Sequence, residues 1–364
     1  MSVINNEIHP TRNYELGSHW IVTANHGYIP YAQEELRRKY SHLKSTILVS
    51  GEVAFMELPE SEGAVWDLLR REPAIFIRDA YPVHIILPVD AVASEEDAEQ
   101  LWEALLERSG LSIQGESTGA VHVRTSPKKV KTDDASDKEV VFQWRSAIQS
   151  VWSKQNITAA VQQPDFILTL FEHEQQVYAG LATFANQQSD WPGGAIRFRR
   201  EDGQISRAKF KLLEAERIFG LDFSAYRNAL DVGAAPGGWS SLLLERGIHV
   251  TAVDPAKMHP TLMEHPHFTY YGRNAAEVVF EPNEFDLIVC DMSWSPKHTA
   301  QLVIELLDSL VYGGTLIVTV KLMHKKPLQT IRDCMEMFEK HATIVRAKQL
   351  FHNRDEITLY MLKN

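Results

Sequence analysis

The sequence predicts an α/β protein in which a mostly parallel sheet in the C-terminal half follows two small α+β units. Beyond about residue 205, near-continuous apolar strands alternate with helices, a pattern typical of a parallel sheet that is covered on both faces. Before about residue 185 the strands and helices are shorter and less regular in order. A chain of 364 residues is also long for a single core, which favours several domains.

Residues 1–92 are expected to form the first α+β domain, with elements in the order β-α-β-β-α-β. Turn residues and alternating apolar residues define its strands, and polar cap residues define its helices. The strands are predicted at 19–25, at 45–59 with a break at Gly51, and at 80–90, and the helices at 32–40 and 61–70.

Residues 93–185 are expected to form a second α+β domain. Its clearest element is a helix over 94–110, which begins at a serine cap, carries acidic residues in its first turn and ends at a glycine. A strand at 120–126, a helix at 138–154 and a hairpin over 165–183 that turns at 173–175 complete it.

Residues 186–204 are rich in glycine, proline and polar residues, which indicates a linker. The third domain is predicted over 205–364, with a closing pair of strands that adds an antiparallel edge to the parallel sheet.

The segment LDVGAAPGGWSS at 230–241 joins a strand to a helix, the layout that holds a nucleotide-like cofactor at the carboxyl edge of a sheet. It departs from the dinucleotide pattern, because its proline removes a backbone donor that a pyrophosphate would use. With its leading aspartate, the loop suits S-adenosylmethionine, which has no phosphate and carries an amino group. The predicted cofactor contacts in this segment are Asp231, Gly233, Ala234, Pro236, Gly237, Gly238 and Trp239.

Three further cofactor contacts are expected at later strand ends. Asp254 ends the next strand, where a carboxylate can accept hydrogen bonds from the ribose hydroxyls of the cofactor. Asn274 follows the third strand and can contact the adenine edge, and Asp291 follows the fourth.

A lysine, Lys321, closes a buried strand, which is unusual because a charged amine there must be paired or neutralised. Asp291 ends another strand, Lys211 lies on a helix ahead of the sheet, and Glu356 opens the last strand. Because the carboxyl ends of parallel strands share one edge of a sheet, we expect Asp291, Lys321 and Lys211 to lie near that edge.

The segments SRAKFKL, DVGAAPGGW, CDM followed by SPK, VKLMHKK and QLFHNRDEIT resemble those of the FtsJ-like 2′-O-ribose RNA methyltransferases. The Lys-Asp-Lys-Glu tetrad of that family matches Lys211, Asp291, Lys321 and Glu356. On this resemblance we hypothesise that Lys321 is a general base for a ribose hydroxyl, that Lys211 and Glu356 orient this hydroxyl, and that Asp291 orients Lys321 beside the cofactor. With WPGG, the motifs are most similar to the group that methylates a cytidine ribose in bacterial large-subunit rRNA. Two positions depart from that group, which tends to have aspartate at Asn274 and cysteine at Ala235.

The resemblance implies a Rossmann-like methyltransferase domain in the C-terminal part, preceded by a ferredoxin-like domain and a THUMP domain. The hydrophobic pattern of QQPDFILTLFEHEQQVYAGLA is similar to that of THUMP domains in RNA-modifying enzymes. The expected substrate is therefore RNA, and rRNA in particular, while DNA is not expected and the oligomeric state stays open.

The net charge of −11 opposes binding to a polyanion unless the basic residues are grouped on one face. They are grouped in the sequence, and we hypothesise that three clusters converge on RNA. The clusters are Lys128, Lys129 and Lys131; Arg197, Arg199, Arg200, Arg207, Lys209 and Lys211; and Lys321, Lys325 and Lys326.

The composition bears on the cellular location of the protein and on whether it contains disulfides or a metal site. No apolar run approaches the roughly 20 residues of a membrane helix, and the first residues do not resemble a signal peptide, so a cytoplasmic protein without a membrane partner is expected. Cys290 and Cys334 lie far apart without metal-ligand spacing, which favours neither a disulfide framework nor a metal site.

The sequence leaves several alternatives to ribose methylation open. Methylation of a base amino group usually goes with an Asn-Pro-Pro-Tyr-like loop, where this chain has Asp291 to Trp294, although Trp294 can stack on a base or pack in the core. C5-methylation needs a thiolate, and both cysteines are expected to be packing residues. A non-catalytic RNA-binding or ribosome-assembly protein is also compatible with these patterns and, more remotely, so is a nicotinamide-dependent dehydrogenase.

Overall fold

The computed structural model describes residues 18–92, 94–113, 116–127, 134–323 and 326–364, apart from the side chains of 134–138. The chain divides into two compact units, Met1–Ala195 and Ile196–Asn364. Within the described residues, no helix is both long enough and apolar enough to cross a bilayer.

The first unit begins with a four-stranded antiparallel sheet in the order β2-β3-β1-β4. The order of elements along the chain is the β-α-β-β-α-β order predicted from the sequence. Trp20 and Trp66 anchor its core, with ring centroids 4.9 Å apart in an edge-to-face arrangement. The elements are β1 (Ser18–Thr23), α1 (Ile29–Arg37), β2 (Lys44–Val49), β3 (Val53–Leu58), α2 (Glu62–Arg71) and β4 (Asp79–Pro82).

A second sheet of the same unit has five strands in the order β5-β9-β8-β6-β7. Trp102, Trp152 and Phe166 form its aromatic core. The predicted capped helix and hairpin are both present, with a capping box at Ser94 and a left-handed Gly110 that ends the helix. The elements are β5 (Ile85–Pro88), α3 (Glu95–Ser109), β6 (Ser117–Thr125), α4 (Asp134–Lys154), β7 (Ile157–Ala159), β8 (Phe166–His173) and β9 (Gln176–Thr183).

The single strand predicted at 80–90 is wrong, because the chain changes sheets in its middle. The Val83 amide donates to the His19 carbonyl in the first sheet, and the next amide, that of His84, donates to the Ala179 carbonyl in the second. Two consecutive residues therefore belong to different sheets, and one apolar run contributes both β4 and β5.

The Gly-Pro-rich stretch 186–204 is partly fixed by hydrogen bonds. The Gly193 carbonyl accepts from Arg78 Nε at 2.7 Å and from Thr23 Oγ1 at 3.0 Å, all within the first unit. The domain bounds 1–92, 93–185, 186–204 and 205–364 stay predictions.

The second unit is built on the mostly parallel sheet predicted for the C-terminal half. Its seven strands follow the order β12-β11-β10-β13-β14-β16-β15. The first five in this order are parallel, whereas β16 lies antiparallel between β14 and β15. The antiparallel strand thus lies inside the sheet and not at its edge. The strands are β10 (Asn228–Val232), β11 (His249–Val253), β12 (Phe268–Tyr271), β13 (Phe285–Cys290), β14 (Leu310–Lys321), β15 (Ala342–Lys348) and β16 (Glu356–Lys363).

The helices of this unit pack apolar side chains on the sheet. Leu212, Leu242 and Leu243 are fully buried in one core with the central strands. The helices are α5 (Lys209–Ile218), α6 (Gly238–Glu245), α7 (Pro260–Met263), α8 (Pro296–Glu305) and α9 (Pro327–Phe338).

Candidate active site

Four charged side chains from distant parts of the sequence meet at the carboxyl edge of the parallel strands. Asp291 follows β13 directly, Lys321 is the last residue of β14, and Glu356 is the first residue of β16. Because β16 runs antiparallel to β14, its amino end lies at the same edge, and Glu356 is the register partner of Lys321. Lys211 reaches this group from the first turn of α5.

The buried carboxylate of Glu356 lies between the two lysines. Its Oε1 is 2.5 Å from Lys211 Nζ, and its Oε2 accepts a hydrogen bond from Lys321 Nζ. Lys211 also donates to Asp291 Oδ2 at 2.9 Å. The Glu356 side chain is 1 % exposed, against 31 % for that of Lys321, so Lys321 is the member of this pair that faces solvent.

The charges in this group stabilise one another. Burial alone would lower the pKa of Lys211, but the carboxylates of Asp291 and Glu356 outweigh burial and raise it. Burial alone would raise the pKa of Glu356, but Lys211 and Lys321 outweigh burial and lower it. Lys211 is therefore held as a cation and Glu356 as an anion.

The pairing differs from the expected one at Asp291. Sequence analysis assigned Asp291 to the orientation of Lys321, whereas the structure joins Asp291 to Lys211 and to Thr319, whose Oγ1 donates to Oδ1 at 2.8 Å. Lys321 Nζ instead donates its hydrogen bond to Glu356 Oε2. The difference arises because Lys211 reaches Asp291 from α5, a tertiary contact that strand order does not reveal.

Sequence reasoning missed a buried glutamate that supports this site. Glu214 lies one helical turn after Lys211 on α5, and its carboxylate accepts from the amides of Phe351 and His352 at 2.6 and 2.9 Å. It also contacts His352 Nδ1 at 2.8 Å. α5 thus makes two contacts with this part of the chain. Glu214 holds the loop before β16, and Lys211 holds Glu356, the first residue of β16.

The glycine-containing loop between β10 and α6 folds closely against its neighbours. Gly233 and Gly237 have φ of +75° and +115°, which a residue with a side chain rarely adopts. A Cβ at Gly233 would lie 2.3 Å from Met292 Cγ, and one at Gly237 would lie 2.1 Å from Leu262 Cδ1. Backbone conformation therefore favours glycine at both positions, and a side chain at Gly233 would also have to displace Met292.

Asp231 and Asp254, both predicted to contact the cofactor, have different environments. Asp231 is 1 % exposed and accepts a hydrogen bond from Ser240 Oγ at 2.6 Å. Burial, aided by Asp291 and Asp254, raises the pKa of Asp231 to about 7. Asp254 accepts from the amides of Ala235 and Ala256 at 3.0 and 2.7 Å.

A cleft of about 230 Å³ opens beside these strand ends. Of the predicted cofactor residues, Gly233, Asp254, Asn274 and Asp291 line it. Two carboxylates and an amide contribute to this lining, and none of its described residues is basic. The other predicted residues lie in the strand end, the loop and the first turn of α6, namely Asp231, Ala234, Pro236, Gly237, Gly238 and Trp239.

The basic residues that were predicted to converge on RNA differ in their exposure to solvent. Lys209 is buried and paired with Glu201 and Glu245, so its predicted place on an RNA-binding face is wrong. Four arginines and a lysine are exposed, namely Arg197, Arg199, Arg200, Arg207 and Lys326. The predictions for Lys128, Lys129, Lys131 and Lys325 lie outside the described residues.

An aromatic stack fixes the arginine-rich segment next to α5. Phe198 lies between Arg197 and Arg199, and its ring stacks on Phe210 and on His352, with centroids 5.6 and 5.3 Å apart. Phe210 directly precedes Lys211 in the helix, so the arginines lie on a segment anchored beside the four charged residues.

The cysteines are unsuited to nucleophilic catalysis. Cys290 is fully buried in β13, and burial raises the pKa of its thiol far above neutrality. Burial also raises the pKa of Cys334 to about 11. Neither thiol ionises near neutral pH, which supports their predicted role as packing residues.

Residues 204–349 match the family model described as FtsJ-like methyltransferase. The matched part contains the glycine-containing loop, Lys211, Asp291 and Lys321, whereas Glu356 follows it.

Curated relatives agree with this match. The chain is 34 % identical over 195 residues to the protein named Ribosomal RNA large subunit methyltransferase M from Halorhodospira halophila, covering 52 % of this chain and 56 % of that one. Its namesake from Xylella fastidiosa strain 9a5c is 36 % identical over 195 residues, covering 50 % and 54 %. The chain spans about half the length of the curated relatives it matches.

Among solved structures, TrmN from Thermus thermophilus aligns over 95 % of this chain and 99 % of its own length, at 13 % identity and a TM-score of 0.35. That score is too low to carry an inference.

Proposed function

We propose that this protein uses S-adenosylmethionine to methylate a ribose 2′-hydroxyl in RNA, with a cytidine of large-subunit rRNA as the target. The observation that carries the proposal is the Lys211–Glu356–Lys321 arrangement beside Asp291, at the edge of the sheet where the cleft opens. The names of the curated relatives supply the choice of rRNA.

The cleft suits S-adenosylmethionine better than a phosphate-bearing cofactor. The lining carries the carboxylates of Asp254 and Asp291 and, among its described residues, no basic side chain. Lys211 neutralises Asp291 from outside the lining, so Asp254 is the acidic group that opposes a pyrophosphate. Asp254 would hold the ribose hydroxyls, Asn274 would contact the adenine, and Asp291 would lie toward the reacting end. When bound, the cofactor supplies an electrophilic methyl group.

Lys321 is the residue that we assign as the general base. Its solvent-facing amine would take up the proton that the 2′-hydroxyl loses when its oxygen receives the methyl group. Glu356 fixes the direction of the Lys321 side chain and is itself held by Lys211. Asp291, which accepts a hydrogen bond from Thr319, in turn fixes Lys211.

The exposed arginines support RNA as the substrate. A ribose in a chain lies between two phosphates, so a site for its hydroxyl needs cations nearby, and the segment anchored by Phe198 carries them. We further propose that the β-α-β-β-α-β elements form a ferredoxin-like domain, that the second sheet belongs to a THUMP domain, and that the protein works in the cytoplasm.

The test is the transfer of labelled methyl groups to total RNA from a strain that lacks the protein, followed by mapping of 2′-O-methyl positions. The expected result is one new ribose methyl group in large-subunit rRNA. Label on a base or on protein would contradict the reaction type, and cofactor binding without transfer to any RNA or ribosomal particle would favour an assembly role.

A further inference from the structure

Trp294 is a large aromatic side chain that remains exposed at the mouth of the cleft. Its side chain is 46 % exposed although it also lines the cleft that contains Asp254 and Asp291. Exposing about half of an indole ring to water is unfavourable, because its surface is largely apolar. Exposed aromatic side chains beside a site commonly contact a ligand.

The loop that carries Trp294 is fixed on both sides. Before it, the Met292 side chain lies against Gly233, so closely that a Cβ on the glycine would collide with it. After it, Ser295 Oγ accepts from the His298 amide and contacts His298 Nδ1 at 2.9 Å, which caps α8. Trp294 is therefore held at the cleft by anchored neighbours before any ligand binds.

Trp294 is three residues from Asp291, the residue that contacts Lys211. In a nucleotide the base is attached to C1′, the carbon next to the one that bears the 2′-hydroxyl. A ribose whose hydroxyl reaches Lys321 must therefore bring its base within a few ångströms of the same strand ends. A flat, rigid aromatic ring at this place matches the π-face of a nucleobase.

We propose that Trp294 stacks on the base of the nucleotide that is methylated and so positions its ribose. This inference rests on the proposed function and adds the group that holds the base. Trp294 is a positioning residue, because the proton and the methyl group move at other atoms. Because stacking is tolerant of base identity, Trp294 contributes affinity and orientation more than it selects one base.

The experiment compares Trp294→Ala and Trp294→Phe with the unchanged protein on an RNA oligonucleotide that carries the mapped site. We expect Trp294→Ala to raise KM for RNA roughly 5- to 100-fold and Trp294→Phe to restore most of the loss. Because Trp294 lies at the mouth of the cleft, the dissociation constant for S-adenosylmethionine, measured by calorimetry, should change much less than KM for RNA. Tyr312→Ala is the matched control, because Tyr312 is 81 % exposed at the far end of β14.

An oligonucleotide that lacks only the target base sharpens the test. On this RNA the unchanged protein and Trp294→Ala should have the same KM, because no base remains to stack. The inference is overturned if Trp294→Ala weakens cofactor binding and leaves KM for RNA unchanged, or if its KM defect persists on the abasic RNA. Failure of the unchanged protein to methylate any ribose would instead refute the proposed function itself.

Discussion

Lys321 and Glu356 are register partners across β14 and β16, and their side chains are joined by a hydrogen bond at the carboxyl edge of the sheet. The sheet itself sets this relationship, since a one-residue slip between the strands would turn Glu356 to the opposite face. The direction of the Lys321 amine is thus fixed by backbone pairing as well as by charge.

Lys321→Ala should reduce kcat for ribose methylation by about 10²- to 10⁴-fold, the usual contribution of a general base. Binding of S-adenosylmethionine should persist, since Lys321 is absent from the described lining of the cleft. Single-turnover methyl transfer and calorimetry measure the two quantities. Lys340→Ala, which changes an exposed lysine between α9 and β15, serves as the control, and a Lys321→Ala protein with normal turnover would exclude this base.

Replacing Arg199 and Arg200 together with alanine should weaken RNA binding and lower its salt dependence. Each lost phosphate contact should reduce the slope of log K against log salt by about 0.7 to 0.9. Filter binding of large-subunit rRNA across a salt series measures the slope. Arg227→Ala removes an exposed arginine from the opposite edge of the sheet and should leave the slope unchanged. If the unchanged protein, the double variant and Arg227→Ala all had the same slope, Arg199 and Arg200 would not contact RNA.

Asp231→Asn should flatten the pH dependence of stability. The folded-state pKa of Asp231, about 7, lies above its ordinary value of 3.8, so between these values the folded state binds a proton that the unfolded state lacks. The contribution to stability is therefore fully present below about pH 4 and is lost as pH rises through 7. Urea unfolding at pH 5 and pH 8 should show a smaller loss for Asp231→Asn than for the unchanged protein, and equal losses would contradict the raised pKa.

Glu214→Gln should lower kcat about tenfold, because one amide oxygen cannot satisfy the two backbone amides and His352 that the carboxylate holds. KM for the cofactor should stay constant, since Glu214 is on α5 and outside the described cleft lining. Glu216→Gln is matched on the same helix, where Glu216 pairs with Arg246. It should cost stability without lowering kcat, and identical kinetics for both variants would reduce Glu214 to a structural role.

Local chemistry made much of the site predictable from sequence. Asp291 and Lys321 could be placed because each stands at the carboxyl end of a clear apolar strand, and the ends of parallel strands share one edge. Glu356 lies at the same edge because it opens β16, which is antiparallel to β14. The loop around Gly233 and Gly237 was equally clear, since glycine and proline spacing identifies a strand-to-helix turn.

The remaining features depend on tertiary contacts that a sequence pattern does not contain. Lys209 has the same charge as its exposed neighbours, and only folding brings Glu201 and Glu245 to it. The exchange of sheets at His84 falls inside one continuous apolar run. Glu214 looks like any helical glutamate until the loop before β16 meets it.

The position of β16 also has a consequence for synthesis of the chain. Because β16 separates β14 from β15, a chain that stops before Glu356 lacks one member of the charged group and leaves the long, apolar β14 with an unpaired edge. Such an edge is a template for pairing with other chains. Under the proposed function, an interrupted product would therefore be both inactive and prone to aggregate, because both properties depend on β16.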